Sequence, residues 1–265
     1  MKSIFDYEKF QTWVNENNKE YSSSYPYPHG YIDNLFDEGH LDLVQQEITE
    51  RDFKLDERDD DKIQVKTRSD FEDNESLPPA IKACFDVLNG GKFMTMLSHL
   101  TGVEGLISDQ YYDGGGVNII KNGGTLAVHV DGTTQYRMNL CRRLNVILFM
   151  NDHWDPEWNG YHEQWNFLNK DMDPFHSDQD WECIRKILPI RNRLFIFTTN
   201  DHSFHGHAGT LNVPENVERR SLITYYYTVT RPDSDSVFES KHSAKFVPND
   251  ITLRKNPFQN TEIIL

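Results

Sequence analysis

The sequence predicts one domain: a helical N-terminal part, then a mainly β part closed as a sandwich or barrel. Three observations carry this. Up to about residue 105, apolar residues recur at helical spacing among polar neighbours. Beyond it, glycine clusters at 114–116 and 123–124 punctuate short runs rich in β-branched and aromatic residues. Those runs follow one another too closely to alternate with helices as βαβ units. With no internal repeat and no Pro/Ser linker, the boundaries read as helical support over about 1–105, a β core over about 106–230 and an irregular tail over 231–265.

Each element follows from local chemistry. Over 3–18, Phe5, Phe10, Trp13 and Val14 form the apolar stripe of an amphipathic helix. Pro26 and Pro28 enforce extended chain, and Tyr31–Ile32 can open a strand. Residues 38–51 read as a second helix. The run 56-DERDDDK-62 reads as a solvated loop. Pro79 suits the first turn of a helix, and Gly90–Gly91 split the apolar stretches 80–89 and 92–100 into two. Strands are expected at 117–121, 126–131, 143–150, 160–167, 185–190, 193–199, 203–207 and 220–230. In the polar tail, Phe238 and Phe246 are candidate anchors.

Composition narrows the function. The 265 residues are 37% hydrophobic and 12% aromatic, enough for a sizeable core. With 27 basic and 42 acidic residues, the net charge is −15, which argues against nucleic acid or an anionic membrane as partner. Cys84, Cys141 and Cys183 form no CxxC pair and read as reduced thiols. The N-terminus has no secretory apolar region, and the most apolar run, 144-LNVILFM-150, is too short to span a bilayer. The simplest expected location is cytoplasmic; the oligomeric state is not legible.

Chemistry concentrates in histidines and carboxylates. His-x-Asp occurs at His40/Asp42, His129/Asp131, His153/Asp155 and His176/Asp178. Only 126-LAVHVDG-132 is strand-like, where residues two apart share a face and can share a metal. The stretch 198-TTNDHSFHGHAG-209 adds His202, His205 and His207. In extended chain His205 and His207 point one way, and spacing does not rank them. On 219-RRSLITYYYT-228, Arg219, Ser221, Ile223 and Tyr225 share a face. An arginine aimed into a barrel needs a carboxylate, from the protein or from a ligand. Asn145, Ile147 and Phe149 likewise share the face expected to look inward.

Taken in order, 26-PYPHGYIDN-34, 98-SHLTGVEGLISD-109, 114-GGGVNII-120, 142-RRLNVILFMNDHW-154 and 203-SFHGHAGTLNVPENVERRSLITYYYT-228 resemble blocks of the 2-oxoglutarate- and iron(II)-dependent dioxygenases, in the prolyl-4-hydroxylase-like branch. The resemblance runs from about residue 25 to 230. It implies a double-stranded β-helix, or jelly roll, as the core. It implies His129, Asp131 and His205 as catalytic iron ligands, and Arg219 as the partner of the far carboxylate of 2-oxoglutarate. Ser221 and Asn145 are further candidates for that cosubstrate. The implied cofactors are Fe(II), 2-oxoglutarate and dioxygen, with ascorbate as a candidate auxiliary. The implied reaction hydroxylates an unactivated aliphatic C–H bond, with a prolyl residue of a protein or peptide favoured. Alternatives are the same chemistry on a free amino acid or other small metabolite, and a non-catalytic cupin-like module. In the resemblance, Asp131 favours hydroxylation over halogenation, while desaturation and ring closure keep the same ligands. The chain departs from several prolyl hydroxylases in having Ile119 and Phe149 where they carry tyrosines near 2-oxoglutarate.

Around the expected mouth, Trp154, Trp158, Tyr161 and Trp165 read as loop packing or as a substrate wall. His153, His162 and His176 read as ordinary polar residues. Arg137, Arg142 and Arg143 could meet an anionic substrate or simply face solvent.

Overall fold

Alternation along Leu140–Phe149 organises the molecule. Leu144, Val146 and Leu148 pack into one apolar cluster with the helices, while Asn145 and Ile147 line a cavity on the other face. The same parity holds where Leu194 and Ile196 oppose Phe195 and Phe197, and where Leu222 and Tyr226 oppose Ser221, Ile223 and Tyr225. A sheet with one oily face and one mixed face must cover the first and can curl around the second.

The computed structural model describes residues 3–60, 63–71, 74–233, 241–247, 258 and 260–265. Its helices are α1 (Tyr7–Ser23), α2 (Glu38–Glu50), α3 (Pro79–Leu88) and α4 (Gly91–Thr101). Its strands begin with β1 (His29–Asp33), β2 (Leu55–Asp59), β3 (Gln64–Ser69), β4 (Ile107–Ser108) and β5 (Gly116–Ile120). There follow β6 (Thr125–Val130), β7 (Thr134–Gln135), β8 (Leu140–Phe149), β9 (His162–Phe167) and β10 (Trp181–Ile187). The last are β11 (Arg193–Thr198), β12 (His205–His207), β13 (Arg219–Thr228), β14 (Lys245–Phe246) and β15 (Glu262–Ile264). They form one curled sheet in the order β1-β11-β8-β13-β5-β3-β6-β12-β9-β10-β15, the half-barrel of a jelly roll.

The helices start and stop where their caps dictate. Asp6 and Asp37 accept the amides of Lys9 and His40 at the starts of α1 and α2. Pro79 opens α3, and Gly102 ends α4 in the left-handed region. Phe10, Val14, Ile81, Phe85, Phe93 and Leu97 then bury against the outer face of the sheet. Each such side chain contributes about 1.5–3 kcal/mol.

Three expectations need correction. The N-terminal part is not purely helical, since β1 pairs with β11, and β3 bridges β5 and β6. The charged run over 56–62 is not simply a loop: residues 55–59 form β2 and pair with β3, because alternate charged side chains can sit on a half-exposed hairpin; 61–62 lie outside the described residues. The tail is not wholly irregular: β14 pairs with β6, and β15 runs parallel to β10. Phe246 anchors it, while Phe238 lies outside the described residues. No helix among the described residues is long and apolar enough to cross a membrane.

Candidate active site

Strand β6 carries His129 and, one residue past its end, Asp131; both are buried on the inner face. Strand β12 lies antiparallel beside β6 and sets His205 opposite His129. Nε2 of His129 stands 3.8 Å from Oδ1 of Asp131, and Nε2 of His205 stands 3.9 Å from Oδ2. One ligand atom from each residue lies within 4.8 Å of the other two. Nδ1 of His129 is 2.9 Å from the Ala127 carbonyl, and Nδ1 of His205 is 2.8 Å from that of Ser203. A carbonyl only accepts, so each Nδ1 carries the proton and each Nε2 turns a lone pair toward the carboxylate. Two imidazole lone pairs and one carboxylate fit a facial triad for a divalent transition metal and leave coordination positions open.

The electrostatics favour the ligand forms. Burial, reinforced by the neighbouring His205, pushes His129 down to about 3, so its ring is neutral at ordinary pH. Burial alone would raise the Asp131 carboxyl. The neighbouring His205, Arg142 and His129, with a hydrogen bond from Asn145, outweigh that and hold it below the usual range. Asn145 Nδ2 donates to Asp131 Oδ2 at 3.1 Å, and Arg142 Nη1 lies 3.8 Å from Oδ1.

On β13, Arg219 points into the same cavity. Its Nε donates to the Gly160 carbonyl at 2.6 Å, and its guanidinium lies 5.3 Å from the Phe149 ring centroid. Gly160 has φ +71°, and a Cβ there would come within 2.9 Å of Trp154 and 3.2 Å of Arg219; only glycine lets the backbone approach so closely. Among the described residues no carboxylate pairs with Arg219. Burial pulls its pKa down to about 10, which leaves it a cation. Six buried polar atoms without a hydrogen-bond partner belong to residues lining this cavity: Ser221 Oγ, Asn118 Nδ2, Arg142 Nε, Asn145 Oδ1, His162 Nε2 and His207 Nε2. Buried polar groups are normally satisfied, so their concentration around a cavity of about 440 Å³ suits a polar ligand.

Residues 115–227 match the 2OG-Fe(II) oxygenase superfamily. The matched span runs from β5 into β13 and holds His129, Asp131, His205 and Arg219.

No curated protein matches this sequence. Its fold resembles that of a prolyl hydroxylase from Trichoplax adhaerens solved with a hypoxia inducible factor oxygen degradation domain peptide: TM-score 0.55, 14% identity, covering 83% of this chain and 91% of that one. It also resembles a Pseudomonas putida prolyl-4-hydroxylase, at TM-score 0.51 and 11% identity over 82% and 99% of the two chains. A third likeness is the non-heme alpha ketoglutarate dependent epimerase SnoN from nogalamycin biosynthesis, at TM-score 0.55 and 10% identity over 94% and 93%. At such identities the likeness is one of fold.

The fold brings His129, Asp131, His205, Arg219, Ser221 and Asn145 to one cavity. Asn145 makes a hydrogen bond within the protein, its amide holding Asp131. His207 also lines the cavity, whereas His202 is exposed. Three expectations change. His162 is no ordinary polar residue but lies buried, its ring 5.4 Å from that of His205, because alternation on β9 turns it and Gln164 inward. Arg142 is buried at the site, not solvated. Ile119 packs with the helix-side cluster rather than near the cavity, since β5 turns Asn118 inward instead. Of the two readings offered for the aromatics near the mouth, packing is the one that fits: Trp154, Tyr161 and Trp165 sit in apolar clusters away from the lining. Sequence reading missed Lys66 and Arg68, which β3 presents to the cavity; alternation in 64-QVKTRS-69 was the available signal.

Proposed function

We propose that this oxygenase hydroxylates an unactivated aliphatic C–H bond. His129, Asp131 and His205 would hold Fe(II), and Arg219, with Ser221 beside it, would hold the far carboxylate of 2-oxoglutarate. Bound iron supplies dioxygen activation, coupled to decarboxylation of 2-oxoglutarate: substrate C–H, 2-oxoglutarate and O2 become substrate C–OH, succinate and CO2. The chain's own part is positional. The Ala127 and Ser203 carbonyls fix the two imidazoles, Asn145 and Arg142 orient the carboxylate, and Ile147 keeps the inner wall apolar while Phe149 packs behind it beside Arg219. The observation that carries this reading is Arg219: a buried cation, unpaired among the described residues, in the same cavity as three converging ligand atoms.

For the substrate, the fold's likeness to prolyl hydroxylases, one of them solved with a peptide, supports a prolyl residue. The limited cavity, which must also hold the cosubstrate, supports a small metabolite instead. The test is succinate formation from 2-oxoglutarate with added Fe(II), with mass spectrometry of peptide and small-molecule candidates for a gain of one oxygen. His205→Ala is expected to abolish succinate formation. Undiminished turnover in that variant would sink the reading.

A further inference from the structure

The cavity is far more cationic than the chain that encloses it. The whole sequence carries −15, yet Arg58, Lys66, Arg68, Arg142 and Arg219 line this one space against the carboxylates of Asp113 and Asp131. One further carboxylate, Asp56, holds two of the cations: its Oδ2 is 2.6 Å from Arg58 Nη2 and 3.0 Å from Arg68 Nε. Arg142 is shared between Asp131 and the Tyr225 ring, whose centroid lies 3.7 Å from its guanidinium carbon. Lys66 has no ion pair or hydrogen bond to its ammonium among the described residues. Burial, then the neighbouring Arg68, pushes its pKa down to about 8. An ammonium held in such surroundings without a counter-charge is costly.

On the reading proposed above, iron and 2-oxoglutarate do not supply that counter-charge. A metal dication and a dicarboxylate cancel, and 2-oxoglutarate has two carboxylates: one for the metal, one for Arg219. The surplus positive charge on β3 therefore belongs to something else that enters the cavity. We infer that the substrate is a small molecule bearing a carboxylate or phosphate group, and that Lys66 receives this group with Arg68 beside it. Both side chains stand on the inner face of β3, two residues apart, so one compact anion can meet both. Because β3 pairs with β5, which carries Asn118, and with β6, which carries His129, an anion docked there shares one cavity with the triad. This rests on the oxygenase reading, and its test separates the two.

The full chain is loaded with Mn(II) in place of iron and saturated with 2-oxoglutarate under argon. Inorganic phosphate and acetate are then titrated separately by calorimetry. The expected result is saturable binding of at least one anion without displacement of 2-oxoglutarate. Tighter phosphate binding assigns a phosphate ester, and tighter acetate binding assigns a carboxylic acid. Lys66→Gln and Arg68→Gln should each weaken the anion about ten-fold, while Lys66→Arg retains it and 2-oxoglutarate affinity changes less than about two-fold. Thermal melts report whether each variant is folded. Absence of anion binding to the loaded protein overturns the inference and leaves the oxygenase reading standing. So does an anion that merely competes with 2-oxoglutarate, or a Lys66→Gln protein that loses 2-oxoglutarate instead. Failure to bind Mn(II) or 2-oxoglutarate at all would remove the oxygenase reading and this inference with it.

Discussion

His129 and His205 are directly opposed partners in one antiparallel strand pair, their ring centroids 4.4 Å apart. Opposed residues share a face of the sheet, so the register of β6 against β12 alone brings the two imidazoles together. A slip of one residue would turn His205 away and bring Gly206 into register. The metal-ligand geometry is therefore a property of strand pairing.

Gly206 should tolerate no side chain. A Cβ there would lie 2.8 Å from the Leu126 carbonyl oxygen and 2.9 Å from that of Ala127, both backbone atoms of β6. Gly206→Ala must push β12 off β6. Unfolding in urea is expected to show a loss of about 2 kcal/mol or more, with weakened metal binding. A variant as stable as the wild type would refute this account of the strand contact.

Arg219 separates binding from stability. Arg219→Leu is expected to weaken 2-oxoglutarate binding roughly 100-fold. The ligand-free protein should melt at the same temperature or higher, because a desolvated and unpaired cation has been removed. A clear fall in Tm would show that the arginine serves the fold.

Asn145 should act through Asp131. Its amide donates to Oδ2 of that carboxylate at 3.1 Å. Asn145→Leu keeps the volume and removes the donor, so metal affinity, read by calorimetry with Mn(II), is expected to fall about 10- to 100-fold. Unchanged metal affinity with weakened 2-oxoglutarate binding would make Asn145 a cosubstrate contact instead.

Acid should destabilise the ligand-free protein through its buried histidines. Burial pushes His29 down to about 4; its Nδ1 meets the Tyr27 carbonyl at 2.8 Å and the Arg185 guanidinium flanks its Nε2. The unfolded chain takes up this proton near pH 6.5, the folded one only near 4. Between those values the unfolded state binds more protons, so stability falls as pH drops through that window. Urea midpoints from pH 7.5 to 4.5 should show this slope, and His29→Gln should flatten it by one proton's worth. An identical slope in the variant would exclude His29 as a contributor.

The β core was legible because its strands alternate: one register in 143–150 or 219–228 tells which side chains look inward. The triad's first two members followed from the same rule. Choosing His205 over His207 needed the family resemblance, since both lie on one face and both line the cavity. What stayed hidden was non-local. The hold of Asn145 on Asp131 joins two strands, and no spacing records it. Strands β14 and β15 have two and three residues, too few for a period. Charge in 56–62 masked β2, and with it the β3 strand that brings Lys66 inward.

The β2–β3 hairpin has a consequence for how such a protein can diversify. It supplies Arg58, Lys66 and Arg68 to the wall, but no member of the His129, Asp131 and His205 set, nor Arg219. Those four come from β6, the residue after its end, β12 and β13. The candidate metal site and the charged wall thus sit on different stretches of chain, joined by backbone pairing that does not depend on side-chain identity. Strands β2 and β3 form a cassette: their side chains can be rewritten to admit a new molecule while the His129, Asp131, His205 and Arg219 set stays as it is.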